Sequence, residues 1–368
     1  MPVRYRKYVE FVALLLLAVA LVWWFGRKLD WNLVKAAMGK SDWRLILLGG
    51  LVVVGGYFCR AIRWRAFLSP ITKASLREIW IATTVGYGAV LVVGRAGEVV
   101  RPLVLPMRDK RVRPAASFVT ILVERVYDAI TVMLLFAVSL FWLTPALNDA
   151  SQFARTRQLG LVLVAALLAF VGLLMWFRRR SQKFIGWIDR KIEPKSELLK
   201  RAKRGLLHLL EHLATALGIL ASRRGLAVTV GWSLALWFAV AVGNLLVFRA
   251  FGLPLGISHA LFVLGWSMIG SAIPTPGGAA GAFHAITGAA LVLLGVPTEQ
   301  AAAVAIILHL VDFAPAALFG FFYFLRGDIN VARLRSLMAA SDIEHPLENE
   351  KVEPSTRAKQ LEVAAANK

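Results

Sequence analysis

The sequence predicts an all-α polytopic membrane protein with about six full transmembrane helices plus two broken, re-entrant helical hairpins, arranged as an inverted repeat. Three observations carry this reading. Of the 368 residues, 58% are hydrophobic and only 18% charged, with a mean hydropathy of +0.65, whereas a soluble chain of this length carries roughly 25% charge. The apolar residues fall in blocks long enough to span hydrocarbon. The basic residues are sorted between alternate connections and not spread evenly. These features exclude a soluble enzyme and a disordered chain. The single cysteine, Cys59, excludes an intramolecular disulfide and a cysteine-based zinc site.

A crossing helix needs about 20 mostly apolar residues. Blocks of that kind run over 9–25, 45–58, 115–143, 159–177, 226–248 and 301–325. The first follows Arg4, Arg6 and Lys7 like a signal peptide, but it runs through Trp23, Trp24 and Phe25 without a small-residue cleavage pattern. It therefore reads as a retained helix. The second block is short and extends through Trp64 and Phe67, with its arginines at the membrane interface. Two more apolar regions, 79–93 and 257–294, are interrupted by Gly and Pro and do not read as single straight helices.

Lys and Arg outside the blocks number 34 on one set of connections and 8 on the other. Positive connections stay in the cytoplasm, so both termini are expected inside. Much of the formal charge of +21 is then a topology signal, and no nucleic-acid partner is expected. Region 79–93 lies between two cytoplasmic stretches and should enter and leave from that side. Region 257–294 lies between outer segments and either dips in or crosses twice. Two dips from opposite faces are the arrangement of an inverted-repeat transporter. An internal echo fits it: AASFVTILVERVYDAI at 115–130 aligns with AAAVAIILHLVDFAPA at 301–316.

The expected organisation is a transmembrane domain at 1–326, carrying a cytoplasmic amphipathic segment at about 178–224, and a largely disordered cytoplasmic tail at 327–368. The basic runs Arg178-Arg179-Arg180 and 200–204 are suited to anionic inner-leaflet lipid. His208, Glu211 and His212 fit a zinc-protease spacing, but lie on the amphipathic segment with no clear third ligand. No metal or cofactor is expected.

Three constellations carry chemistry. Gly94-Arg95-Ala96-Gly97-Glu98-Val99-Val100-Arg101-Pro102 allows a tight turn. On a helix from Gly97, Glu98 and Arg101 pair at i,i+3, leaving Arg95 for an anion. The same stretch also reads as a solvated cytoplasmic loop. Glu124-Arg125-Val126-Tyr127-Asp128 lies deep in an apolar block, where an unpaired charge costs about 2.5–3.5 kcal/mol on insertion scales. It reads as a functional site or as an ion pair pinning helices. Pro274-Thr275-Pro276-Gly277-Gly278 must break a helix. A helix restarting beyond it, toward His284, would present free N–H groups to an anionic headgroup. In the last block, His309 and Asp312 lie at i,i+3, and Asp312 is a candidate partner for Arg125 or Arg95.

With these residues in view, the chain resembles the lysylphosphatidylglycerol synthase transmembrane-region family of flippase-like membrane proteins. The resemblance rests on Arg60-Ala61-Ile62-Arg63-Trp64-Arg65, on the Gly94–Pro102 motif, on Glu124-Arg125-Val126-Tyr127-Asp128 and on Pro274-Thr275-Pro276-Gly277-Gly278, in the family's order and to about Arg326. It implies a polytopic protein of the bacterial inner membrane. In bifunctional members a similar domain moves aminoacylated phosphatidylglycerol between leaflets. Their soluble aminoacyl-transferase domain has no counterpart in these 368 residues, so synthesis of the lysyl-lipid is not expected. Val93 stands where members often carry Pro, and Phe283-His284 where many carry Glu.

The expected function is translocation of a lipid, with a phosphate in its headgroup, between leaflets, by a transporter and not an enzyme. Arg95, Arg101 and Arg125 would bind the phosphate. Glu98, Glu124 and Asp128 would hold those arginines or receive a headgroup amine. The Pro-Gly turn would close the cavity from outside. Coupling to an ion gradient would fall to Glu124, Asp128 or His309. Two other classes fit: a membrane-embedded transferase on a polyprenyl-phosphate or phospholipid, although the chain has no Asp-x-Asp pair, and a non-catalytic scaffold in envelope-lipid synthesis. The partners expected are the lipid itself and anionic inner-leaflet lipid, and the sequence also allows a second copy of the chain or a lipid-synthesis enzyme.

Overall fold

The computed structural model describes residues 29–69, 72–109, 111–112, 114–143, 150–191, 203, 207, 210, 223–273 and 279–326. All of them fall in one compact unit, Met1–Asp328. The expected first span at 9–25, the Pro-Gly turn at 274–278 and the tail at 327–368 lie outside the described residues, as does most of the segment after 191.

Among the described residues every regular element is helical. A short helix, α1 (Trp31–Gly39), starts on Asp30, whose carboxylate accepts from the N–H groups of Asn32 and Leu33. Asp42 caps α2 (Trp43–Leu68) in the same way, accepting from the Arg44 N–H at 2.9 Å. At about 1.5 Å per residue, the 26 residues of α2 exceed the roughly 30 Å of a hydrocarbon core.

The first hairpin follows. Its arms are α3 (Leu76–Val93) and α4 (Val100–Arg108), joined by a 3-10 helix at Gly94–Val99. The break expected within 79–93 is not there. Gly86 and Gly88 sit inside a continuous helix because they are packing surfaces: Arg101 of α4 lies against Gly86, and the backbone of Ala316 and Ala317 against Gly88. The chain turns at Gly94 instead, and Gly97 lies so close to the backbone of Ala89 and Val90 that no Cβ fits there. Glu78 and Arg108 pair across the base of the hairpin. Just beyond it, hydrogen bonds from Arg111 hold the Asp109 carboxyl below the usual carboxylate range.

Then come α5 (Pro114–Trp142), α6 (Ala150–Lys191) and α7 (Arg223–Ala250). The 42 residues of α6 make one helix of about 63 Å, so residues 178–191 of the expected amphipathic segment continue the span helically. The second hairpin has arms α8 (Ile257–Ala272) and α9 (Ala280–Leu293), of 16 and 14 residues. Each is about 21–24 Å long, short of a full crossing, which is the form of a re-entrant pair. The last helix, α10 (Thr298–Leu325), has 28 residues.

Packing partners are exchanged between the two halves. The helices that precede the hairpins, α2 and α7, pack on each other; α10 packs on α3, and α5 packs on α8. That exchange is what a two-fold relation between halves produces. Small residues make the close approaches, as in membrane helix packing generally: a Cβ on Gly49 would lie 3.2 Å from the Gly243 carbonyl oxygen. The largest core joins the end of α7 to α8, α9 and α10 around Phe248, Phe262, Phe283 and Leu291. Outward, Leu51, Trp142, Leu318 and Leu325 are each more than 60% exposed. Such an apolar exterior belongs in lipid, and α2, α7 from Gly225 and α10 are long and apolar enough to cross a membrane.

Candidate functional site

The site begins with the spacing of charged residues on two helices. Glu124 and Asp128 are one turn apart on α5, both fully buried. Arg60 and Arg63, a turn apart on α2, meet them. Arg60 Nη1 lies 3.2 Å from Glu124 Oε1 and 3.0 Å from Asp128 Oδ2. Arg63 Nη2 lies 2.7 Å from Asp128 Oδ1 and 3.4 Å from Glu124 Oε1. The first hairpin adds Arg101, whose two terminal nitrogens donate to the two oxygens of Glu124 at 2.7 and 2.9 Å. Arg125 completes the group, 3.5 Å from Glu124 and 3.7 Å from Asp128.

Neighbouring aromatic and hydroxyl groups hold these charges in place. Trp237 of α7 donates its indole N–H to Asp128 Oδ1 at 2.9 Å, and Arg63 donates to Ser233 Oγ at 2.8 Å. The Arg101 guanidinium lies 4.0 Å over the Trp64 ring, whose own N–H donates to Thr120. Tyr87 of α3 accepts from Arg60 at 2.7 Å and also from Arg125.

Four guanidinium groups thus surround two buried carboxylates. Glu98 approaches this group at Arg125, 4.0 Å away. Positive charge is in surplus, and a surplus kept from water is costly unless an anion meets it. Arg63 and Arg101 are the enclosed members. Arg60 and Arg125 line a cavity of about 110 Å³, together with Tyr57, Tyr87, Glu98, Trp237 and Asp312 and apolar side chains of α2, α7, α8 and α10. A narrower crevice beside it reaches Arg101.

The sequence model of the family described as the lysylphosphatidylglycerol synthase TM region matches residues 11–320. The chain belongs to that family. A search of curated proteins finds no significant match. Membership in the lysylphosphatidylglycerol synthase TM-region family and the apolar helices make this a multi-pass membrane protein of lipid metabolism or transport.

Within this family member, Glu98, Arg101, Glu124, Arg125 and Asp128 are brought together as the sequence led one to expect, but with different pairings. Arg101 turns to Glu124 and not to Glu98, because the backbone at Glu98 is 3-10 helical and the α-helix carrying Arg101 starts only at Val100. Arg95 belongs to that 3-10 helix, and its side chain lies outside the described part. Pro274, Pro276, Gly277 and Gly278 lie outside the described residues altogether. His284 and His309 are not on the cavity wall. Their rings stand 4.9 Å apart among Phe283 and Phe313. Asp312 does line the cavity but does not pair with Arg125, whose carboxylate neighbours are Glu98, Glu124 and Asp128.

The largest correction concerns Arg60 and Arg63, expected at the interface. They are 6% and 0% exposed and supply half of the positive cluster. Tyr87 and Trp237 had no signal of their own, since an aromatic residue in an apolar run is ordinary core.

Proposed function

We propose that this chain moves a lipid with a phosphate-containing headgroup between the leaflets of a bacterial inner membrane, with both termini in the cytoplasm. The observation that carries the reading is the opening of a positively charged cluster, through Arg60 and Arg125, onto a cavity whose remaining wall is mostly apolar, with Glu98 and Asp312 its two carboxylates. A phosphate held there meets two guanidinium groups, the preferred partners of phosphate oxygens. A volume of about 110 Å³ is of the order of a small polar headgroup and small beside a pair of acyl chains. The tails therefore stay in hydrocarbon while the polar end passes through a shielded seam, avoiding the cost of dragging a charge through lipid.

Roles follow from depth. Arg63, Arg101, Glu124 and Asp128 are enclosed and position the cluster. Arg125, with a quarter of its side chain exposed, and Arg60 meet the ligand. Glu98, similarly exposed, sets the orientation of Arg125 and admits the headgroup by letting go of it.

Leaflet exchange in proteoliposomes tests the reading. With labelled phosphatidylglycerol and phosphatidylcholine, the wild type should equilibrate the anionic lipid faster than protein-free vesicles. Folded Arg125→Ala should lose at least about tenfold of that rate, the effect of a single charge-assisted contact. Wild-type vesicles that move neither lipid would sink the reading in favour of a transferase or a scaffold.

A further inference from the structure

We propose that Asp312 carries a proton with each headgroup, so that lipid movement is driven by a transmembrane proton gradient. This rests on the translocation reading above and adds its energy source and direction.

Three carboxylates lie in or beside the cluster and are poor choices for the task. Both oxygens of Glu124 are taken by Arg101, and both oxygens of Asp128 face Arg60, Arg63 or Trp237. Protonating either would leave buried guanidinium groups uncompensated. Glu98 is held to Arg125. Asp312 is different. Its carboxylate lines the same cavity from α10, its Oδ1 is buried without a hydrogen-bond partner, and among the described residues no cation stands within 4.0 Å of it. Among the described residues, the hydrogen bond that reaches Asp312 from another helix is from the Tyr57 hydroxyl, 2.8 Å from its backbone carbonyl. That bond fixes the turn and leaves the carboxylate uncompensated. An ionised carboxylate so placed is costly until a proton or a cation reaches it.

The groups facing Asp312 set the sign of the coupling. From α2 come Tyr57 and Arg60, from α3 Tyr87, from the 3-10 helix Glu98, and from α5 Arg125. Helices α7 and α8 present Trp237, Ser267, Ser271 and Met268, none of which titrates near neutrality. His309 stands one turn away on α10, facing His284 of α9. A phosphate seated on Arg60 and Arg125 places negative charge in the cavity of Asp312. That charge favours the protonated carboxyl, and the protonated carboxyl removes a repulsion from the phosphate. The two bindings assist each other, and the assistance is reciprocal. The proton leaves water on one side, forms an O–H bond on Asp312, and returns to water on the other as the headgroup is released. A monoanionic lipid and one proton together move no net charge. In a cell whose exterior is more acidic, the cycle carries lipid from the outer to the inner leaflet.

The test uses the full chain in vesicles holding a trace of acyl-labelled phosphatidylglycerol. Lumen and bath are buffered one pH unit apart, and the leaflet distribution is read with an impermeant reductant against protein-free vesicles. Wild type should enrich the label in the leaflet facing the alkaline side, up to about tenfold for one proton per lipid. A potassium diffusion potential should leave that ratio unchanged. Asp312→Asn, which mimics the protonated carboxyl, should exchange lipid but distribute it evenly, and Asp312→Glu should restore the bias. Wild-type exchange without a gradient response overturns the proposal and leaves the translocation reading standing. So does an Asn variant that keeps the bias, or a folded one that moves no lipid. Absence of exchange by wild type overturns both. The wild-type arm needs no substitution, so misfolding of a variant does not remove the test.

Discussion

Arg101 on α4 and Glu124 on α5 meet through two parallel hydrogen bonds of 2.7 and 2.9 Å, with both side chains almost wholly shut off from solvent. The pair fastens the short second arm of the first hairpin to a full-length helix. It adds a charged contact to the apolar burial of Val100, Leu103, Val104 and Leu105, which already packs this nine-residue helix into the core. The planar guanidinium fits a carboxylate in a way a lysine ammonium cannot. Arg101→Ala should therefore cost about 3 kcal/mol, the low end of the penalty for breaking a buried pair, because Glu124 keeps Arg60, Arg63 and Arg125 beside it. Arg101→Lys should recover part of it. Thermal unfolding in detergent reads both, and an unchanged midpoint for the alanine variant would show that the pair holds nothing together.

Tyr87 accepts hydrogen bonds from Arg60 and Arg125 at the cavity wall. Its ring also lies 4.8 Å beneath the Arg60 guanidinium and 5.4 Å from the ring of Tyr57. Tyr87→Phe keeps the ring and deletes only the hydroxyl. A hydrogen bond to a charged group contributes about 1.5–3 kcal/mol, and both arginines keep other partners, so the stability loss should sit at the low end. The exchange rate should fall more than stability does, because Arg60 and Arg125 lose the atom that aligns them. Equal losses in the Phe and Ala variants would place the effect in the hydroxyl, whereas a Phe variant as fast as wild type beside a slow Ala variant would place it in the ring.

The ladder of apolar blocks made most of the fold legible. Burial of whole helices in lipid demands it, and the extension of α2 to Leu68 followed from Trp64 and Phe67. Charges inside an apolar run gave Glu124 and Asp128 for the same reason. Arg125 is the one basic residue of 43 lying outside the connections that set topology. Arg60 and Arg63 were not legible, because an arginine near a helix end is equally consistent with snorkelling to the interface and with burial. Only their partners decide, and these come from 64 and 68 residues along the chain for Arg60. The Glu98–Arg101 pairing failed because i,i+3 spacing brings side chains together only when both residues share one α-helix. The tight turn read from Gly94 and Gly97 is there, but the further interruption expected within 79–93 is not, because glycine marks both turns and tight packing and sequence does not separate the two.

Gly320 of α10 rests on α3 so closely that a Cβ would stand 2.8 Å from the Thr84 carbonyl oxygen. Backbone cannot yield as a flexible side chain does. Gly320→Ala should destabilise by about 1–3 kcal/mol, the cost of overpacking, and should loosen the α3–α10 contact on which Asp312 and Tyr87 both depend. Gly50 on α2 has nothing within 4 Å of its virtual Cβ, so Gly50→Ala serves as the control. Thermal midpoints in the same detergent compare the two, and equal behaviour would remove packing as the reason for glycine at 320.

Ala279 opens α9 with φ of 63° and ψ of 25°, the left-handed region, and is the one non-glycine residue with positive φ among those described. A Cβ in that conformation costs about 1–2 kcal/mol, and glycine adopts it freely. The residue is buried and lines the same cavity as Arg60, Arg125 and Asp312. Ala279→Gly relieves the strain but also frees the unfolded chain, which offsets part of the gain. The net stabilisation should be up to about 1 kcal/mol, read as a raised unfolding midpoint. Strain beside a cavity is often part of how a site moves between states. If it is so here, the stabilised Gly variant should exchange lipid more slowly than wild type. A variant both more stable and equally fast would assign the strain to the turn alone.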